Sequence, residues 1–375
     1  IRKLPADTVY MADFERGDKK HVLGRVLPID EYSLSFVGPS ERFRLARDVA
    51  AERGLPVYAK LQFLSTHELA NVPHLPLPGV VYNKFAALRR AGASGMLGCW
   101  IFGNYPGLIT DLAGRLYLEP FEENRDRVLA QLAHDYFGPE AVPDVLEAWE
   151  HFAQAWNFYP FHIPLLSSGP QVQGPAFPWF LEPIHKPAPP NWRDNQPPGD
   201  NLVSLIPDQD ALWLDRCLGE LLKEWERGLL ALERAFEHIA EPTREQCREY
   251  GLARCAYHQI TSLRNTMRFY VEREFLLRSP NEEERRAVLA RLRDVIHAEI
   301  ANAEACLPYV VADSRLGWHS ECFAYQFTPE DIERRVADLR EMADTTIPHW
   351  LETGTGLVQP QPYTEPLSDT AYERL

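Results

Sequence analysis

Between residues 56 and 107 the pattern of apolar and polar positions changes several times. Residues 57–63 (VYAKLQF) form an apolar run, β-branched and aromatic, of the right length for one buried strand. Residues 64–78 are a polar loop that holds His67 and Glu68 and is stiffened by Pro73, Pro76 and Pro78. Over 80–90 the apolar residues return at helical spacing (Val81, Phe85, Leu88), with a basic end and Gly92 as the stop. Residues 96–102 read as a second buried strand, ending in Gly103, Asn104, Tyr105, Pro106 and Gly107. Strand, loop, helix, strand is a βαβ unit. In a (β/α)-barrel the carboxyl ends of the strands carry the chemistry.

Upstream, residues 8–14 (TVYMADF) predict a strand that ends in Asp13, Glu15 and Arg16, followed by a polar turn at 17–20. Residues 31–37 (EYSLSFV) predict another. Ser40 fits an N-cap, with Glu41 in the first turn of a helix over 41–53 that Gly54 ends. Four parallel strands with helices between them would make half of an eight-stranded barrel, or a small open α/β sheet.

After Pro106 the period becomes helical. Helices are expected over 120–136 and 140–156, with Phe137, Gly138 and Pro139 as the break. Residues 157–207 are rich in proline but also carry Phe161, Phe177, Trp179, Phe180 and Trp192, so an ordered loop that packs on something is expected. Three long helices follow, over 208–240, 243–278 and 282–306, with Asp210, Thr243 and Asn281 as caps, and they read as an antiparallel bundle. A polar-aromatic loop spans 307–327, and Thr328 caps a last helix to about 342, with Pro329 at its first position and Glu330 and Asp331 in its first turn. The predicted class is therefore α/β plus all-α. Residues 1–118 would be the C-terminal half of a (β/α)8 (TIM) barrel, residues 119–350 a mostly α-helical domain with the long loop at 157–207, and 351–375 a loosely held tail.

Charge narrows the partners. A formal net charge of −15 argues against nucleic acid or an anionic membrane. No stretch has the ~18 unbroken apolar residues of a membrane span, and no signal-peptide pattern is visible. Cys99, Cys217, Cys247, Cys255, Cys306 and Cys322 form no CxxC pair and read as reduced, mostly buried thiols, which favours the cytoplasm. The chain starts on Ile1, close to a strand, so a processed protein or a fragment of a longer one is expected. A half-barrel would leave two strands without a neighbour, so the partner would be the missing half or a second copy.

Candidate chemistry gathers in three places. Asp13, Glu15 and Glu68 are carboxylates at or just past strand ends, and glycoside hydrolysis uses a carboxyl pair. On the residues alone, a loop carboxylate that caps a backbone turn is the stronger reading of Glu68. Trp100 could floor a sugar subsite with Asn104 and Tyr105 bonding hydroxyls, or be a core residue beside a Gly-Asn turn. The cluster Asp313, Arg315, Trp318, His319 and Glu321 could reach a neighbouring active site, or be a loop tied by an Arg315–Asp313 ion pair. Metal-ligand spacings (HxH, HExxH) are absent, as are GxGxxG, P-loop and GxSxG motifs.

Five segments, EYSLSFVGPSER, AKLQFLSTHELANVPHLP, SGMLGCWIFGNYPG, DYFGPEA and ADSRLGWHSE, resemble in order and spacing a group of large bacterial proteins. That group is similar to the TIM-barrel glycoside hydrolases, in the neighbourhood of the hexosaminidases and α-glucuronidases with a helical domain after the barrel. The resemblance covers most of residues 8–345. It implies hydrolysis of a glycosidic bond in a complex glycan, without a cofactor. It implies Glu68 as the carboxylate this chain contributes, with Asp13 and Glu15 as further candidates. Arg42, Gln62, His67, Trp100, Asn104, Tyr105, Arg315, Trp318, His319 and Glu321 would then hold the carbohydrate. It also implies that the first strands of the barrel, and an acid pair often found at the end of the fourth, lie upstream of Ile1. There is one departure: relatives tend to carry Trp-Glu where this chain has His67-Glu68. The carboxylate carries over and the aromatic platform does not.

The alternative is a non-catalytic carbohydrate-binding or assembly protein that keeps the cleft but lacks an acid pair. Carboxyl separation distinguishes the two, because hydrolysis wants about 5–5.5 Å for retention or roughly 6.5–9.5 Å for inversion. A helical-bundle interaction protein with a small α/β cap is a third reading.

Overall fold

A computed structural model of the chain describes residues 1–99, 105–184, 186, 199–202, 205–206, 210–322 and 324–353. Backbone contacts divide it into two compact units: Ile1–Ile163 with Glu220–Arg254, and Pro164–Gly219 with Cys255–Leu375. The elements in chain order are β1 (Tyr10–Asp13), β2 (Asp18–Val22), β3 (Arg25–Ile29), α1 (Glu41–Ala51), β4 (Val57–Leu61), α2 (Pro78–Arg90), β5 (Gly95–Gly98), α3 (Leu108–Tyr117), α4 (Arg125–Phe137), α5 (Val142–Trp156), α6 (Ile163–Leu166), α7 (Gly169–Gln173), α8 (Ala211–Glu237), α9 (Arg244–Arg278), α10 (Glu282–Ala312), β6 (Trp318–His319), β7 (Ala324–Tyr325), α11 (Pro329–Glu341) and α12 (Ile347–Thr353).

The first unit is built on a small parallel sheet in the order β1-β4-β5. Ala12 pairs with Ala59 and Ala59 with Met96; one step on, Asp13, Lys60 and Leu97 line up. β4 alternates, with Val57, Ala59 and Leu61 buried. The helices supply Phe43, Ala46 and Ala50 from α1, and Val81, Phe85 and Leu88 from α2. Phe14 meets Phe43 edge-on at 5.0 Å, and Phe63 meets Phe85 at 5.1 Å. Ser40 caps α1 by accepting from the Phe43 N–H. Trp225 of α8 packs on Phe152 and Trp156 of α5 and donates to the Ala253 carbonyl.

Two expectations about this part of the chain are corrected. Residues 31–37 are not a strand. Their period-2 pattern reads as one, but the hydroxyls of Ser33 and Ser35 and the Ser35 N–H are turned onto the Glu68 carboxylate instead of a ladder. The described residues thus hold a three-stranded parallel sheet, not four strands. The polar segment at 17–20 is no simple turn, because Asp18 opens the hairpin β2–β3. Its two-residue connection, Leu23 and Gly24, has φ of 43° and 81°, the left-handed pair that suits the twist of a hairpin.

The second unit is helical. Pairings of α9 with α10 run Cys255–Cys306, His258–Asn302, Ser262–Glu299 and Glu272–Arg291, so the two are antiparallel. Asp210, Asn281 and Thr328 cap their helices as expected, and Thr328 forms a reciprocal box with Asp331. α10 continues past the expected end, through Pro308 to Ala312, with Cys306 and Val310 on its buried side. Part of the long loop expected at 157–207 is described, and there it packs on α9. Trp179 stacks on Phe269 at 4.5 Å and donates to Thr266 Oγ1, and Asp200 is buried against Arg273 at 2.8 Å. Trp192 and residues 354–375 of the expected tail lie outside the described residues. Cys99, Cys217, Cys255 and Cys306 are buried thiols. Among the described residues no helix is long and apolar enough to cross a membrane.

Candidate active site

Parallel strands end on one side of a sheet, so the residues just past β1, β4 and β5 meet there. They are Glu15, Gln62 and Cys99. The Gln62 N–H donates to Glu15 Oε1 at 3.0 Å. The Gln62 side-chain amide donates to the Ser65 carbonyl and to Cys99 Sγ, and the thiol donates to the same carbonyl at 3.0 Å. Cys99 holds φ 67°, in the left-handed region, as the chain leaves β5.

Glu15 is wholly buried, and its Oε1 also accepts from Lys84 Nζ at 2.7 Å. Lys84 comes from the middle of α2 and is wholly buried too. Its other N–H groups reach the carbonyls of Ser33 and Phe36 at 2.8 and 2.7 Å. Every donor of the ammonium therefore has an acceptor. Glu15 Oε2 has no hydrogen-bond partner among the described residues, and neither has Gln62 Oε1. Burial pushes the Glu15 carboxyl up to about 7, against the pull of Lys84. Burial lowers Lys84 in turn, with the charge of Glu15 opposing it.

Glu68 lies on the short turn His67–Leu69, whose N-cap, Thr66, accepts from the Glu68 N–H. It is buried and fully engaged. Oε1 accepts from the hydroxyls of Ser33 and Ser35, each at 2.7 Å, and the Ser35 N–H spans both oxygens at 3.1 and 3.0 Å. Oε2 also accepts from the Trp156 indole at 2.9 Å. Trp156 ends α5 and stacks on Tyr159 at 4.9 Å. Burial and the Glu68 charge hold the Tyr159 phenol well above its usual range, and its hydroxyl finds no partner among the described residues. Lys20 of the hairpin donates to the carbonyls of Trp156 and Tyr159, each at 3.1 Å.

Of the residues expected from sequence, Glu15, Gln62 and Glu68 are brought into one network, joined through Lys84 and Ser33. Asp13 belongs to a separate, half-buried cluster, paired with Lys60 at 3.3 Å and accepting from the Tyr32 hydroxyl. His67 is half-buried on the Glu68 turn. Arg42 is exposed in the first turn of α1, alongside Gly17. Tyr105 is half-buried ahead of α3, and its carbonyl accepts from Thr110. Trp100 and Asn104 lie outside the described residues. Arg315, Trp318, His319 and Glu321 belong to the second unit. There Arg315 grips Asp313 with two nitrogens, at 2.9 and 2.7 Å, the ion pair that was the other expectation for this loop. Trp318 and His319 form β6, with Trp318 edge-on to Tyr325.

Sequence reasoning missed Lys84, Ser33, Ser35, Trp156, Tyr159 and Lys20. For Lys84 a signal existed: it falls on the apolar stripe of α2, three residues after Val81 and four before Leu88, where a lysine must be paired to be tolerated. For Trp156 none existed, since nothing local ties it to Glu68.

No family model matches the chain, and no curated protein matches it either. Among solved structures, a GH138 enzyme targeting pectin rhamnogalacturonan II is similar with a TM-score of 0.54 at 10% identity, over 94% of this chain and 43% of that one. The chain thus spans less than half the length of that neighbour. The likeness is to a GH138 enzyme and not specifically to a hexosaminidase or an α-glucuronidase. Over nearly its whole length, this chain has a fold similar to part of a glycoside hydrolase.

Proposed function

We propose that this chain is part of a glycoside-hydrolase-like protein that cleaves glycosidic bonds of a complex glycan, and that Glu15 is its proton-transferring carboxyl. One observation carries the reading. At the carboxyl end of a parallel strand, Glu15 has one oxygen fixed by Lys84 and the Gln62 N–H, the other without a partner among the described residues, and a titration raised to about 7. A carboxyl poised near neutrality suits a general acid or base. Glu68, with its oxygens taken up by donors, is the fixed anion of the pair. Gln62 Oε1, buried and without a partner among the described residues, is the acceptor assigned to a sugar hydroxyl.

The sheet is also read as part of a (β/α)8 barrel. β1 and β5 are the two edges of the sheet. On the face that carries Tyr58 and Lys60, Met11 is 41% exposed and Leu97 42%, as expected of strands that further strands of a barrel would enclose. The likeness to the GH138 enzyme makes pectic polysaccharide the first substrate to try. Incubating the chain with rhamnogalacturonan II and simpler pectic oligosaccharides should release sugar. Glu15→Gln should cut the rate by about 100-fold or more. Equal release by both proteins would sink the assignment of Glu15.

A second reading, a carbohydrate-binding protein without hydrolysis, draws on the complete burial of both Glu15 and Glu68. It predicts saturable binding of the same oligosaccharides with no product formed.

A further inference from the structure

Lys84 occupies a place that is costly for a lysine. An ammonium taken out of water costs several kcal/mol unless its donors are all met. Here they are met by Glu15 Oε1 and by the carbonyls of Ser33 and Phe36. Those carbonyls belong to the 33–36 loop, which no strand ladder holds. The loop is held by Glu68, through the hydroxyls of Ser33 and Ser35 and the Ser35 N–H, and it is closed on itself by the Phe36 N–H onto Ser33 Oγ. Glu68 thus fixes the loop, the loop fixes Lys84, and Lys84 fixes one oxygen of Glu15.

We propose that Lys84 is the positioning residue of this site: carried by the loop that Glu68 clamps, it locks Glu15 through Oε1 and leaves Oε2 as the oxygen without a partner among the described residues. The inference rests on the reading of Glu15 as the proton-transferring carboxyl. It assigns the two carboxylates different duties, one exchanging protons and the other holding the frame.

The charged surroundings make this testable. Lys84, on α2, faces Glu15 directly, and Glu68, on the turn after β4, faces Lys84. Tyr159, after α5, faces Glu68. Asp13 and Lys60, on β1 and β4, pair with each other and with Tyr32. Removing Lys84 takes away the cation that opposes burial, so the Glu15 titration must rise. Neutralising Glu68 has two opposite consequences. Loss of a nearby negative charge alone would lower the Glu15 titration. Release of the loop, with Lys84 drifting from Glu15, would raise it.

The experiment is a pH titration of the ligand-free protein by infrared difference spectroscopy. It follows the carbonyl stretch of the protonated carboxyl, assigned to Glu15 by its loss in Glu15→Gln. The wild-type midpoint is expected at about 7. Lys84→Met should move it up by about one pH unit or more, a tenfold gain in proton affinity. Glu68→Gln should move it up by less. Ser33→Ala keeps the carbonyl on Lys84 but loses the hydroxyl on Glu68, and should give the same direction in the mildest form, so it decides the matter if the other variants do not fold. An unchanged or lowered midpoint in Lys84→Met, Glu68→Gln or Ser33→Ala overturns the inference. Because no substrate is present, absence of hydrolysis would sink the functional reading without touching this result.

Discussion

The Trp156 indole donates to Glu68 Oε2 at 2.9 Å, from 88 residues further along the chain. The contact ties the end of α5 to the turn that follows β4. It also makes the Glu68 carboxylate depend on a residue in a different element. Trp156→Phe keeps an aromatic ring against Tyr159 and Trp225 and removes this donor. A hydrogen bond to a buried charge contributes about 1.5–3 kcal/mol. Urea unfolding of Trp156→Phe should show a loss of about that size with an unchanged slope. A loss under about 0.5 kcal/mol would mean that the two serines alone satisfy Glu68.

The second prediction concerns pH. The Glu15 carboxyl sits at about 7 in the folded chain against an ordinary 4.5. The folded state therefore binds the proton more tightly than the unfolded one. Its contribution to stability is fully present below about pH 4.5 and is lost as pH rises through about 7. The size is on the order of 3 kcal/mol. Glu274 and Glu299, raised by burial in the second unit, push in the same direction. The difference in slope between wild type and Glu15→Gln isolates Glu15. Urea midpoints at pH 5 and pH 8 should fall less in Glu15→Gln than in wild type, and parallel falls would remove Glu15 as the titrating group.

What was legible follows the range of the interactions. Ser40, Asp210, Asn281 and Thr328 each act on an N–H three residues away, so the local sequence names them as caps. β4 and α2 are set by apolar periodicity, which is local too. The segment 31–37 alternates as a strand does, yet its donors go to Glu68 more than thirty residues later. Nothing local distinguishes a ladder from that alternative. The same holds for the site. Glu15, Gln62 and Glu68 could be found as polar groups at strand ends. Which carboxylate is fully engaged and which keeps an oxygen without a partner depends on Trp156, Ser33, Ser35 and Lys84, which come from separate stretches of chain.

Lys20 offers a third test. Its ammonium bonds the carbonyls of Trp156 and Tyr159, at and just past the end of α5, adding a charged donor to the backbone N–H groups of Tyr159 and Phe161 that these carbonyls also accept from. It fastens the β2–β3 hairpin to the element that holds Glu68. Lys20→Met removes the ammonium from both carbonyls and leaves each with its backbone donor alone. Amide hydrogen exchange should speed up in residues 18–29 and at the Trp156 indole together. Faster exchange in the hairpin alone would show that the hairpin does not support the Glu68 site.

In the second unit the same logic applies to Arg335, which is buried and lies 4.5 Å from the centre of the Trp179 ring while donating to the Phe177 carbonyl. Burial pulls its guanidinium down to about 10, with the charge of Glu299 holding it up. Loss of Arg335 therefore leaves Glu299 without its cation and the Phe177 carbonyl without this donor. Breaking such a buried arrangement costs about 3–5 kcal/mol. Arg335→Met should lower stability by that order and open residues 169–181 to limited proteolysis. Arg335→Lys restores the charge but not the flat group over Trp179, so it should recover only part of the loss. Full recovery by lysine would mean that charge alone holds the loop. A loop that stays protected in Arg335→Met would mean that the stack of Trp179 on Phe269 is enough to dock it.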